Sequence, residues 1–265
     1  MNFPNFIRVW QYRGFILSNV KREFRVKYQN SILGAAWNVI NPLSMIFVYT
    51  IIFSEIMRAK LPNMDGHFSY SIYLCSGILT WGLFLEIITK SQNVFISNAN
   101  LIKKINFPRL CLPITVVANA LLNFSIVFGL FVIFLIFTGN FPGIVFLSII
   151  PVLIILIMFA IGLGITLGLM NVFFRDIGQM LGIILQFWFW LTPIVYPINI
   201  IPEKLKVFLD YNPMFGVIDA FHMILVMQQW PDWSRLLPCL LLGIFFCVYG
   251  LNLFRKHSSE MVDEL

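Results

Sequence analysis

Long apolar runs alternate along this chain with short polar or proline-bearing segments, and six of the runs approach the length a helix needs to cross a bilayer. They cover residues 37–54, 69–89, 112–137, 144–170, 177–195 and 236–254. A hydrocarbon core about 30 Å thick takes about 20 helical residues, whereas barrel strands are about ten residues long and alternate in polarity. The runs therefore predict an all-α integral membrane protein with six transmembrane helices. Composition agrees: 59% of the 265 residues are hydrophobic and 11% are charged, too few charges to cover a water-soluble globule. The first residues lack the compact apolar core and small-residue site of a cleavable signal, so the first run is expected to serve as the anchor as well.

Positive charge sets the expected orientation. With both termini cytoplasmic, thirteen of the 18 Lys and Arg residues fall inside, and five, Arg58, Lys60, Lys204, Lys206 and Arg235, fall outside. The net charge of +6 is thus accounted for by topology, without a nucleic-acid partner. Before the first run, Phe6, Val9, Trp10, Leu17, Val20 and Phe24 share one stripe of a helical wheel, opposite Arg8, Gln11, Ser18, Asn19 and Arg22, with Arg13 as an intruder. This arm, residues 1–35, reads as an amphipathic helix on the inner leaflet, or else as a soluble helix packed on a partner. Residues 36–265 form the transmembrane domain.

Catalytic chemistry is sparse. His67, His222 and His257 are scattered, and Cys75, Cys111, Cys239 and Cys247 lie in or beside apolar runs without C-x-x-C spacing. They predict small buried hydrophobes and no metal site. The chain has no G-x-x-x-x-G-K-[ST] phosphate loop, so it does not bind ATP by that device, and if transport is energised by ATP another subunit supplies it. Glu86 lies one turn before Lys90 and is expected to pair with it or to snorkel. Few other ionisable groups interrupt the runs, which argues against a proton-coupled carrier, and Asp176 and Glu86 are too isolated to serve a membrane-embedded transferase. Aromatic mass is plentiful, as in QFWFWLTPIVYP at 186–197. Such rings either pass a glycan by stacking or pack against lipid.

Between the second and third runs lies NANLIKKINFPRL, 98–110. Asn98 is placed to cap a first turn, Leu101 and Ile105 fall about one turn apart, and Pro108 halts the helix. From the residues alone it is either a solvated turn or a small docking helix. Two short helices on the outer side are predicted from PEKLKVFL and PMFGVIDAFHMIL, each opened by proline at its first helical position.

The basic amphipathic arm, KYQNSILGAAWNVINPL (27–43), NLIKKINFPR (100–109), NVFFRDI (171–177) and YNPM (211–214), in this order against six runs, resemble the type 2 ABC exporter permeases of polysaccharides and polyol phosphates. The resemblance spans essentially the whole chain. It is greatest to O-antigen exporters, with capsule and teichoic acid permeases close behind and drug permeases sharing the fold. It implies a non-catalytic permease in the bacterial inner membrane, working as a homodimer with two ATP-binding subunits that hold ATP and Mg2+. The implied cargo is a long glycan on polyprenyl diphosphate. It further implies a coupling helix at about 98–107, in which Asn98, Leu101, Ile102, Lys103, Lys104, Ile105 and Phe107 meet the ATPase. Leu101 and Ile105 would be buried in its cleft, with Lys103, Lys104 and Arg109 at the rim. By the same resemblance Arg175 and Asp176 lie near the cytoplasmic gate, and the two outer helices, about 202–225, are re-entrant gate helices. Tyr49, Phe187 and Trp190 are expected to contact glycan. Arg8, Arg22, Arg25 and Lys27 are expected near the lipid diphosphate and membrane lipid.

Overall fold

A computed structural model describes residues 12–28, 36–49, 51, 68–104, 107–258 and 260–265. Helix α1 (Arg13–Tyr28) is followed by α2 (Trp37–Tyr49), α3 (Ser69–Ser97), the short α4 (Ala99–Lys104) and α5 (Cys111–Phe137). A 3-10 turn at Gly143–Ser148 leads into α6 (Ile149–Phe173), then α7 (Asp176–Leu191), α8 (Glu203–Leu209) and α9 (Pro213–Leu225). A second 3-10 turn at Trp233–Leu236 precedes α10 (Leu237–His257), and α11 (Glu260–Glu264) follows. The described residues include no strand.

Among the described residues, four helices are long and apolar enough to cross a membrane: α3, α5, α6 with its leading turn, and α10 with its leading turn. The runs at 37–54 and 177–195 yield shorter helices, 13 described residues in α2 and 16 in α7. Proline ends α7, because the residue before Pro193 is driven out of the helical region, and Thr192 has ψ 130°. In the other direction, α3 outruns its apolar run. After Lys90 the sequence turns polar, yet Val94 and Phe95 stay buried while Asn93 and Ser97 face outward. The 3.6-residue period thus persists where mean hydropathy falls.

Helix α6 stands at the centre, packed most extensively on α10 and next on α3. Glycines allow backbone to meet backbone on both sides. A Cβ on Gly162 would lie 2.6 Å from the Cys247 amide nitrogen, one on Gly164 2.6 Å from Ser91 Cβ, and one on Gly168 2.5 Å from the Ser91 carbonyl oxygen. On the α10 side, a Cβ on Gly250 would lie 3.1 Å from the Gly162 carbonyl oxygen. Inside a bilayer, where hydrocarbon competes with any apolar side chain, such close approach is a main source of helix attraction.

Two apolar clusters fill the bundle. The larger joins α3, α5, α6 and α9 around Phe84, Phe131, Phe159 and Phe221, with the Phe84 and Phe159 rings stacked at 5.7 Å. The smaller lies at the α4 end, where Phe95, Ile102, Phe107, Leu169, Phe254 and Met261 meet. Cys75, Cys111 and Cys239 are buried as small apolar fillers, as their positions in the runs predict. The expected Glu86–Lys90 ion pair forms at 2.6 Å, and Asn123 adds a 2.7 Å hydrogen bond to the same carboxylate oxygen.

The described part of the arm is helical and packs on α5. Its face toward the bundle carries buried Val20 with half-buried Phe15 and Ile16. Leu17, placed by the wheel on the same stripe as Val20, is 66% exposed. Three residues is 300° of helical turn, enough to separate a bundle-facing line from an outward one. Phe6, Val9, Trp10 and the side chain of Phe24 lie outside the described residues.

If glycine contacts set the α6 position, Gly162→Val should lower stability by about 1–3 kcal/mol through overpacking. Gly129→Ala, where a Cβ meets nothing within 4 Å, should hold or raise it. Thermal unfolding of the purified chain in detergent compares the two, and equal melting temperatures would remove the constraint.

Candidate functional site

The segment after α3 forms the helix α4 that the sequence predicts, but its faces differ from the prediction. Ile102 and Phe107 are buried in this chain's own cluster, and Leu101 packs half-buried beside them. Their side chains anchor the segment to the bundle, because each finds a preformed apolar site there, and Asn100, Lys103 and Lys104 are left exposed. Asn98 does not cap α4 with its side chain. Its Nδ2 donates back to the Val94 carbonyl of α3 at 2.8 Å, and its backbone carbonyl accepts from Leu101 and Ile102 at 3.0 Å each. Arg109, expected at a partner's rim, donates instead to the carbonyl and hydroxyl of Ser258, the latter at 2.7 Å. This fastens the loop to the end of α10. Buried Met261 of α11 completes the same cluster, so α4, α10 and α11 are packed together there. Ile105 lies outside the described residues.

At the other end of the bundle, residues 192–197 leave the helix without leaving the protein. Their free carbonyls are met by α3: the Tyr73 hydroxyl donates to Pro193 O at 3.1 Å and Tyr196 O at 2.9 Å, and the Tyr70 hydroxyl to Val195 O at 2.8 Å. Asn212 ties the segment to α9. Its Nδ2 donates to Thr192 Oγ1 at 2.9 Å, while its Oδ1 accepts from Trp188 Nε1 at 2.8 Å and from the Met214 amide at 3.1 Å. Irregular backbone in an apolar setting is tolerated when protein supplies these bonds. Pro213 takes the first position of α9, as predicted, whereas Pro202 precedes α8 as its cap residue. Arg235 pairs with Asp219 at 2.8 Å, joining α9 to the turn before α10. Next to it, the Ser234 hydroxyl and amide hold the Asp232 carboxyl below the usual carboxylate range.

Helix α7 buries Ile177, Leu181 and Leu185 and turns a second apolar face outward. Phe187 is 66% and Trp190 58% exposed on that face, three residues apart, near Ile183 and Leu191. A 620 Å3 groove begins at Trp188 and Leu191 and continues past Tyr196, Phe208 and Tyr211. Arg175 and Asp176 are both exposed at the α6–α7 junction, with Asp176 in the first turn of α7. There it complements the helix dipole. Just before it, buried Asn171 donates to the Gln92 carbonyl of α3 at 3.2 Å. Arg22 and Arg25 are exposed on α1. Lys27 and Tyr49 belong to described helices without described side chains, and Arg8 is outside the described residues. Among the described residues no His, Cys, Asp and Glu cluster could hold a metal ion.

A model of the ABC-2 type transporter family matches residues 15–226. The chain belongs to that family. It is 32% identical over 245 residues, 92% of each chain, to an O-antigen export system permease protein RfbA of Klebsiella pneumoniae. It is 26% identical over 259 residues, 97% of each, to the RfbA of Myxococcus xanthus. Identity to the polysialic acid transport protein KpsM of Escherichia coli is 25% over 246 residues, 91% of this chain and 92% of KpsM.

Sequence reasoning missed several residues of this ABC-2 transporter chain that hold its functional elements in place: Tyr70, Tyr73 and Asn212 around the 192–197 segment, and Ser258 beneath Arg109. A tyrosine pair on the apolar face of α3 was the available signal, since a buried hydroxyl needs an acceptor. Tyr73→Phe should therefore cost about 1–3 kcal/mol, by removing the one hydroxyl proton shared by the buried Pro193 carbonyl and the part-buried Tyr196 carbonyl. Tyr70→Phe should cost less, because its hydroxyl is half-exposed and water replaces the bond. Thermal unfolding of the two variants gives the order, and the reverse order would show that the tyrosines do not carry the segment.

Proposed function

We propose that this chain is the membrane-spanning permease subunit of an ABC exporter for lipid-linked polysaccharide, with an O-antigen type glycan as cargo. The observation that carries this reading is coverage: permeases named for O-antigen export align with 92–97% of the chain, so the likeness includes the arm, the loops and the outer helices as well as the spans. The match to KpsM supports a capsule polysaccharide as the second reading.

In this account α2 and α7 join the four long helices to make six spans in the inner membrane, with both termini cytoplasmic. Two copies face each other through α2 and α7, and the exposed apolar faces of both helices support that contact. Phe187, Trp190 and Tyr49 then line the path, where rings stack on sugar C–H faces without gripping them. The helices α8 and α9 gate the outer side, and Arg175 and Asp176 sit near the cytoplasmic gate. Of the arm cations expected near the lipid diphosphate, Arg8, Arg22, Arg25 and Lys27, all but Arg22 are assigned to it, since cationic donors at headgroup level stabilise its charge. The ATPase is a separate pair of subunits that bind ATP and Mg2+, docked against α4 through exposed Asn100, Lys103 and Lys104. Leu101, Ile102 and Phe107 pass the displacement into the bundle, and Ile105 completes the segment.

The glycan path is tested by export in a strain lacking this chain. Phe187→Ala with Trp190→Ala should change stability by no more than about 0.5 kcal/mol each, because both rings are exposed, yet slow the appearance of surface glycan severalfold. Export at the unaltered rate would make the rings mere surface.

The docking face is tested by copurification at matched expression. Lys103→Glu with Lys104→Glu should reduce the recovered ATPase subunit at least about tenfold, since like-charge contacts at an interface cost several kcal/mol. Full recovery would move the contact elsewhere on the chain.

A further inference from the structure

Between α1, α3 and α5 lies a 710 Å3 pocket open to the surroundings of the bundle. Its polar lining comes from Arg22 and Glu23 of the arm, Lys90 of α3, and Asn119 and Asn123 of α5, with Val26 and Leu122 as the apolar part. The two asparagines stand one turn apart, and each holds a carboxylate. Asn119 Nδ2 donates to Glu23 at 2.5 Å, and Asn123 Nδ2 donates to Glu86 at 2.7 Å, beside the Lys90 ion pair. Arg22 and Glu23 make no ion pair among the described residues, so one guanidinium and one carboxylate are left without a charged partner at the pocket.

The depth of the pocket follows from helix length. At 1.5 Å per residue the 29 residues of α3 span about 43 Å, roughly 13 Å more than a hydrocarbon core. Its polar stretch, Lys90 onward, places that excess at the α4 end. Lys90 lies seven residues from the last residue of α3, about 10 Å, and Asn119 eight residues from the first of α5, about 12 Å. Both therefore stand near the boundary between acyl chains and headgroups.

We infer that this pocket holds the headgroup of a zwitterionic aminophospholipid, such as phosphatidylethanolamine, as a resident lipid. The ammonium meets Glu23, the phosphate meets Arg22 and Lys90, and Val26 and Leu122 flank the acyl chains. Charge decides among occupants. Arg22 and Lys90 are balanced by Glu23 and, through its ion pair with Lys90 just outside the lining, by Glu86, so a purely anionic headgroup or a lipid diphosphate gains no net attraction and meets a carboxylate, whereas a zwitterion finds a partner for each sign, and a primary ammonium, unlike a trimethylated one, also donates hydrogen bonds to Glu23. This assigns Arg22 to the resident lipid and leaves Arg25 for cargo. It does not depend on what the cargo is.

The full-length chain is reconstituted in equimolar phosphatidylethanolamine, phosphatidylglycerol and phosphatidylcholine, extracted in mild detergent, and its retained lipid counted by native mass spectrometry. Phosphatidylethanolamine should exceed each of the others about threefold, the selectivity that one exposed ion pair supports. Glu23→Gln should abolish the preference for phosphatidylethanolamine over phosphatidylcholine and, by leaving one cation unbalanced, raise phosphatidylglycerol. Asn119→Ala should keep the preference, because it frees the arm's carboxylate without removing it, and Arg22→Gln should lower retention of all three alike. Phosphatidylglycerol at or above phosphatidylethanolamine would make this an anionic-lipid site, and equal phosphatidylcholine would remove the ammonium contact. Either result, a preference that survives Glu23→Gln, or retention unchanged in Arg22→Gln, overturns the inference.

Discussion

The backbone of α6 touches the backbones of its two neighbours, and glycine at 162, 164, 168 and 250 is what lets it do so. With lipid as the competing solvent, apolar side chains gain little by leaving it for one another, so packing density has to supply what the hydrophobic effect supplies in water. Helices α3, α6 and α10 thereby become a frame. Other elements attach to it by specific contacts: α9 through Asp219 and Arg235 and through the Tyr73–His222 stack, the 192–197 segment through two tyrosine hydroxyls, and α4 through Ile102, Phe107 and Arg109.

The division between frame and attachments is also a division of function. Helices α2 and α7 are too short among the described residues to count with the long spans, and they carry much of the uncovered apolar surface, Phe47, Ile183, Phe187 and Trp190 among it. In the proposed function this surface meets a second copy and the passing glycan. The anchoring residues of α4 share a cluster with α6 and α10, which in the proposed function is the route by which displacement of α4 would enter the frame.

Much of this was legible from the sequence wherever the information is local. The runs give α3, α5, α6 and α10 directly and the i,i+4 spacing gives Glu86–Lys90, whereas the run carried to residue 195 overshoots the end of α7 at Leu191, before Pro193. The polar tail of α3 was not legible as helix, because a hydropathy sum loses the period that Val94 and Phe95 maintain. Partners far apart in sequence were equally hidden. Arg109 reads as a free cation until Ser258, 149 residues on, is brought beside it. Asn98 reads as a cap until the competing carbonyl of Val94 is seen one turn back. Leu101 reads, with Ile105, as a docking face because a short apolar helix does not reveal whether it faces a partner or its own chain. The resemblance supplied the family, and the structure supplied which side of α4 is outward.

The most direct test of a rigid frame with mobile α7 faces is a pair of spin-label distances in the assembled exporter, with and without trapped nucleotide. Labels at Leu85 on α3 and Leu241 on α10, both exposed, report the frame within one copy, and a label at Ile183 reports α7 to α7 across the dimer. The account predicts an unchanged Leu85–Leu241 distribution and a shifted Ile183 pair. A frame distance that shifts as much as the α7 pair would contradict it.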